Sequence, residues 1–239
     1  VDSRGGGVRA TFEKVSNILF QKPVSWQVGG ELIYTDERNR NVRIAPGAQV
    51  PRRAYMIGGL FGSVTLDASD DLLDPTEGWR TTLFLAPEVS RQGGAESYYL
   101  RAQGDASVYK SLGDLVLAGR VRAATIQGAA VDVIAPSRRL YGGGGASVRG
   151  YGFQGVGPRD TLGNPTGGAS LVEFALEARI PTPLFDGAIE VVPFIDGGSV
   201  ARGSTPDFDE IRFGAGIGIR YKTSFGPIRV DVAAPLNPT

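Results

Sequence analysis

Ile211-Arg212-Phe213-Gly214-Ala215-Gly216-Ile217-Gly218-Ile219-Arg220-Tyr221 alternates without a break. Ile211, Phe213, Ala215, Ile217, Ile219 and Tyr221 fall on one face, and Arg212, Gly214, Gly216, Gly218 and Arg220 on the other. A period of two is the signature of a strand with one face in an apolar medium. It recurs at 25–35, where Trp26, Val28, Gly30, Leu32 and Tyr34 oppose Ser25, Gln27, Glu31 and Thr35, with Ile33 the exception. At 98–109, Leu100, Ala102, Ala106 and Val108 oppose Arg101, Gln103, Asp105 and Ser107. At 170–180, Val172, Phe174, Leu176 and Ala178 oppose Glu173, Glu177 and Arg179.

Composition agrees with an all-β chain. Glycine supplies 35 of 239 residues, about twice the usual ~7%. The 25 Lys+Arg balance 25 Asp+Glu, which argues against a general nucleic-acid partner. No cysteine is present, excluding disulfides, thiolate zinc sites and cysteine nucleophiles. No histidine is present either. That removes Ser-His-Asp catalysis, histidine bases and His-ligated metals together. Neither a cofactor nor a metal is expected, and what chemistry remains would rest on carboxylate, lysine or tyrosine. No apolar run approaches the ~18–20 residues of a membrane helix. No basic segment followed by an apolar one opens the chain, so Val1 does not read as the start of a secretory precursor.

The pattern predicts ten strands, at 6–15, 24–36, 54–66, 78–89, 97–110, 114–128, 168–180, 187–197, 210–222 and 226–234. Those at 54–66 and 78–89 alternate poorly. Most are longer than the ~5–6 residues of ordinary sheets and close to the ~9–11 of a tilted membrane-spanning strand. Short connections, such as 111–113 and 223–225, alternate with long ones at 37–53, 198–209 and 129–167. Short turns at one end and long loops at the other suit an outer-membrane barrel. A soluble sandwich or lipocalin-like barrel alternates too, and pattern alone leaves both open. Aromatics near strand ends (Trp26, Trp79, Tyr98, Tyr221) and polar faces of mixed charge and glycine favour the membrane barrel.

Residues 129–167 show no sustained period and contain Gly142-Gly143-Gly144-Gly145-Ala146-Ser147-Val148-Arg149-Gly150-Tyr151. A loop of this length in a compact domain is usually functional or disordered. Neither GxGxxG nor GxxxxGK[ST] occurs here between a strand and a helix, so nucleotide binding does not fit.

Ser147-Val148-Arg149-Gly150-Tyr151 resembles the VRGF/Y motif in the long sixth extracellular loop of the BamA/TamA superfamily of outer-membrane assembly barrels. Asp71-Leu72-Leu73-Asp74-Pro75-Thr76-Glu77-Gly78-Trp79 resembles that family's periplasmic turn, and Phe194-Ile195-Asp196-Gly197-Gly198 its FxDxG strand motif. Phe225-Gly226-Pro227-Ile228-Arg229-Val230-Asp231-Val232-Ala233 resembles its GPxxxDxA segment. Four matches in order cover 54–239 well and 1–53 loosely. The GPIRVDVA wording and the GGGGASVRGY run look closer to the TamA branch.

The resemblance implies an antiparallel transmembrane β-barrel in the bacterial outer membrane, with about ten of sixteen strands present and the long loop folded into the lumen. Residues 1–239 would be the C-terminal portion of that barrel domain, strands six to fifteen, without POTRA domains, the first five strands or the closing strand. It implies that the protein inserts and folds other barrels and autotransporters without covalent catalysis. The implied partners are the lipid bilayer, the client barrels and a TamB-like periplasm-spanning protein. A two-partner secretion pore shares the motifs and remains the alternative. A barrel lipase would need a serine–histidine pair, and a plain porin uses a constriction loop without VRGY.

Three structural expectations follow. Ile211, Phe213, Ile217 and Ile219 face lipid, with Arg212 and Arg220 toward the lumen. Strands 6–15 and 226–234 are open edges in this chain, or pair with something outside it. Val148, Arg149, Gly150 and Tyr151 form a loop anchor received by Phe194, Asp196 and Gly197. Parity places Asp196 inward beside Glu190, opposite Ile189, Val191 and Ile195. Arg149 is expected to pair with Asp196 through its planar fork; Gly150 permits a tight turn, and Gly197 removes a side chain beside the carboxylate. Without the resemblance, Arg149 reads as a solvated loop charge.

Overall fold

A computed structural model describes residues 2–17, 20–38 and 51–238. The connection expected at 37–53 lies largely outside them. Ten antiparallel strands form one sheet in chain order. They are β1 (Asp2–Lys14), β2 (Val24–Arg38), β3 (Arg53–Asp67), β4 (Gly78–Gln92) and β5 (Ala95–Leu112), then β6 (Leu115–Gln127), β7 (Ser170–Pro181), β8 (Ile189–Ala201), β9 (Arg212–Tyr221) and β10 (Ile228–Pro235). Each strand pairs with its sequence neighbours, so β1 and β10 have one partner each among the described residues. The sheet is an open part of a barrel wall.

The two faces invert the pattern of a soluble protein. Leu32, Leu60, Leu83, Val121, Leu176, Ile217, Ile219 and Val230 are exposed on one side, while Glu37, Glu88, Glu173, Glu190, Asp196 and Arg220 are buried on the other. A soluble sheet would hide the first set against a core; a barrel in lipid turns it outward and lines its lumen with the second. Ile217, Ile219 and Arg220 thus lie as the alternation predicts. Phe213 is half-buried on the outer face, its ring edge-on to Phe174 at 5.9 Å. Ile211 precedes β9, and its carbonyl accepts a hydrogen bond from Asn237 Nδ2 at 2.8 Å.

β1–β5 and β8 run longer than the sequence pattern suggests, because backbone pairing continues beyond the alternating core, while β6, β7, β9 and β10 are slightly shorter. The turn expected at 111–113 is Gly113-Asp114, and β8 extends to Ala201. β3 and β4 are full strands of 15 residues despite their weak alternation. Their inner faces are partly apolar for a reason that local sequence does not show. Tyr55 and Ile57 pack on Ala135 of the long loop, and Tyr99 and Ile126 pack on Val131, Ile134 and Ala169. The loop between β6 and β7 therefore enters the lumen and carries its own apolar patch, built on short 3-10 turns at Val131–Val133 and Pro136–Arg138.

Candidate functional site

The loop is seated on the inner wall of β7–β10. Register sets Asp196 of β8 beside Ala175 of β7 and Gly214 of β9, with Phe194 next to Gly216. Gly214, Gly216 and Gly218 repeat on the inner face of β9 and leave a bare strip of backbone. A Cβ on Gly214 would fall on the Arg149 carbonyl oxygen, and one on Gly216 within 2.6 Å of the Phe194 ring. One on Gly218 would fall on the Asp231 carboxylate. Glycine is required at 214 because the anchor lies directly against the strand, and at 216 and 218 because Phe194, the Val232 carbonyl and Asp231 of the neighbouring strands close over it.

Into this strip comes Arg149. Its Nε and Nη2 donate to the two carboxylate oxygens of Asp196 at 2.7 Å each, and its backbone N–H donates to Asp196 Oδ2 at 3.0 Å. Nη1 donates to Asp231 Oδ2 at 3.1 Å and lies 3.8 Å from Glu177 Oε2. The guanidinium carbon sits 3.4 Å from the centroid of the Phe194 ring, so the cation also stacks on an aromatic face. Asp196 is fully buried, at 0% exposure. Burial by itself would lower the Arg149 pKa; the hydrogen bonds and charges of Asp196 and Asp231 outweigh burial and raise it.

The rest of the motif completes the seat. Val148 is buried where Gly198 leaves room, since a Cβ there would come within 2.8 Å of Val148 Cγ2. Gly150 has φ +94°, and its backbone passes close enough to Ala234 that a Cβ would sit 2.7 Å from the Ala234 carbonyl. The Tyr151 hydroxyl donates among Asn237 O and Oδ1, each at 3.0 Å, and Phe213 O at 3.2 Å. Ser147 Oγ bonds Glu173 of β7 and accepts the Gly143 N–H at 2.7 Å.

Of the expected partners, Phe194 and Asp196 meet Arg149. Gly197 acts differently from its expected role. It lies on the outer face, where it makes space for the Phe174 ring instead of clearing the carboxylate; parity reverses between neighbouring residues. Gly198, one residue on, is the glycine that admits the loop.

A second seat carries no family motif. The Ser137 N–H and Oγ donate to Glu37 of β2 at 3.0 and 2.5 Å. Arg138 Nη2 donates to Glu31 Oε1 at 2.5 Å, and Nη1 lies 3.7 Å from Glu88 of β4. The inward parity of Glu31 was the one signal in the sequence; Glu37 falls in the connection expected at 37–53, and the structure places it in β2. Asp231 stood inside the quoted GPIRVDVA segment, and Glu177 on the polar face of β7, but neither could be tied to Arg149 without the register. The long loop is thus held at two places, on β2–β4 and on β7–β10. The contacts are ion pairs and hydrogen bonds that fix a backbone in place.

The Omp85 superfamily domain model matches residues 2–239. The chain belongs to the Omp85 superfamily. Superfamily members are assembly and transport factors, and this Omp85 chain is an integral β-barrel protein of the outer membrane. Over 179 residues, 72% of the chain, it is 26% identical to the outer membrane protein assembly factor BamA of Nitratidesulfovibrio vulgaris (strain Hildenborough), and it spans 22% of that protein's length. The structure of BamA from Haemophilus ducreyi lacking POTRA domains 1–3 matches with TM-score 0.75 at 18% identity, covering 99% of this chain and 52% of that one. CdiB from Acinetobacter baumannii matches with TM-score 0.43 at 13% identity, over 99% of this chain and 47% of that one.

Proposed function

We propose that this chain is part of an outer-membrane assembly factor that folds and inserts client β-barrels, autotransporters among them, without covalent catalysis. The observation that carries the proposal is the loop seated in the lumen by Arg149 on Asp196 and Asp231. An ordered loop braced at two walls fills the space that a simple conduit would keep open. Insertion needs no nucleophile. A client strand can add to a free strand edge through main-chain hydrogen bonds, and local strain or thinning of the bilayer lowers the barrier to entry.

Within that reading, Val148, Arg149, Gly150 and Tyr151 form the loop anchor, with Phe194 and Asp196 as its lumenal receivers. Counting from the loop as the connection between strands eleven and twelve of a sixteen-stranded barrel makes β1–β10 the sixth to fifteenth, the C-terminal part of the domain. The GGGGASVRGY and GPIRVDVA wording favours the TamA branch, with a TamB-like periplasmic partner.

The test is made in cells carrying the full-length gene with Arg149→Ala. The proposal expects several outer-membrane barrels, and autotransporter passengers at the surface, to fall together while the variant itself remains folded. Loss of a single exported protein with bulk barrels intact would point to a two-partner secretion pore. No change in either would remove the anchor from the mechanism.

A further inference from the structure

The turn at 68–77 joins β3 to β4 at the end of the wall opposite the long loop, yet it does not stay beside those strands. Its shape is set locally. Asp70 Oδ1 accepts the N–H groups of Thr76 and Glu77 at 2.8 and 3.0 Å, and Asp71 Oδ1 accepts those of Leu73 and Asp74 at 2.7 Å. The turn so stiffened carries Asp74 and Pro75 to β7 and β9. Arg220 Nη2 donates to Asp74 Oδ1 at 2.7 Å, and Arg179 Nη1 donates to the Pro75 carbonyl at 2.8 Å. Five strand spacings separate β4 from β9, about 24 Å along the sheet, so the turn bridges the inside of the wall. Both arginines are buried, Arg220 at 4% and Arg179 at 8% exposure.

From this latch an unbroken run of charges climbs to the loop seat. Arg179 lies 3.6 Å from Asp74 and donates from Nε to Glu177 Oε1 at 3.1 Å. Glu177 Oε2 accepts from Arg229 at 2.7 Å and lies 3.8 Å from Arg149. Arg229 in turn donates to Asp231, which shares Arg149 with Asp196.

We propose that residues 68–77 are a strap across the mouth of the lumen opposite the long loop, and that its latch is coupled through Glu177 to the seat of Arg149. The coupling is competition for one carboxylate. Arg179 divides itself between the strap and Glu177. When Asp74 loses its charge, Arg179 draws Glu177 toward itself and away from Arg149 and Arg229. Strap and loop then loosen together, and the lumen is closed from both ends by one network. The inference does not depend on which clients the protein assembles.

The experiment is hydrogen–deuterium exchange on the full-length protein in lipid vesicles, read over peptides covering 68–77 and 142–157. Heat-modifiable migration confirms in parallel that each variant is folded. Asp74→Asn is expected to raise exchange roughly tenfold in the strap, from loss of one charge-assisted hydrogen bond. It should raise exchange to a smaller extent in the loop, and Asp74→Glu should restore both. With Glu177→Gln already present, Asp74→Asn is expected to open the strap with no further effect on the loop. The wild-type protein offers the same test without a variant, because raising salt to about 1 M screens the partly exposed Asp74 pair and should loosen both segments in parallel. A strap unmoved by Asp74→Asn overturns the latch. A strap that opens while the loop stays protected, by mutation and by salt alike, overturns the coupling.

Discussion

Replacing Arg149 by alanine should release one end of the long loop and leave the other in place. The guanidinium supplies two hydrogen bonds of 2.7 Å to Asp196, a third to Asp231 at 3.1 Å and a stacked contact on Phe194. Its removal leaves Asp196, with 0% exposure, holding only the N–H of residue 149 among the described residues. Breaking a buried ion pair from one side costs about 3–5 kcal/mol. At ~1.4 kcal/mol per tenfold, the seated population of the 142–157 segment falls by roughly 100- to 4,000-fold relative to the released one. Arg149→Lys keeps the charge and loses the fork, so its effect should be intermediate. The second seat, Ser137 and Arg138 on Glu37 and Glu31, shares no partner with Arg149, and it should hold. The assay is limited proteolysis of the full-length protein in vesicles, with cleavage mapped along the loop. Fast cutting confined to 142–157 is the expected result. Cutting within about twofold of wild type, or uniform cutting that includes 131–139, would refute the reasoning.

Gly214→Ala should also unseat the motif, because its Cβ would fall on the Arg149 carbonyl oxygen; the same cleavage map checks it. Ile217→Arg places a charge on the exposed outer face, and should cost about 2–4 kcal/mol near the bilayer midplane, measured by reversible refolding of the full-length protein into vesicles. The strap should weaken in acid. Burial pushes the Asp70 carboxyl up, but hydrogen bonds from the Thr76 hydroxyl and the Thr76 and Glu77 amides outweigh it and hold the pKa below the ordinary 3.8. The stabilisation is therefore complete above pH 3.8 and is lost as pH falls through the lower folded value. Proteolysis of residues 68–77 by an acid-active protease should accelerate below that point, and Asp70→Asn should weaken the pH dependence without abolishing it, because the charge of Asp74 also holds the strap.

Much of the wall was legible residue by residue. The alternation of β9 placed Ile217 and Ile219 on one face and Arg220 on the other because side-chain direction in a strand follows position with a period of two. The same parity turned Asp196 inward. The motif resemblance supplied Arg149 as its candidate partner, something no local rule could do. β3 and β4 were harder to read because Tyr55, Ile57 and Ala86 on their inner faces answer to the tertiary packing of the lumen and not to local alternation.

By itself, then, the sequence determined which side of each clearly alternating strand is apolar, roughly where the turns fall and that no histidine or cysteine chemistry is present. Only the tertiary structure decided which charges meet. Asp231 and Glu177 converge on Arg149 from strands β10 and β7, Glu31 receives Arg138 from across the wall, and Asp74 reaches Arg220 at a separation of 146 residues. The physical reason is that parity is a local property of the backbone. Partnership among inward charges depends on strand register and on the course of the loop and turn through the lumen, and these are set by the summed pairing and packing of the whole sheet.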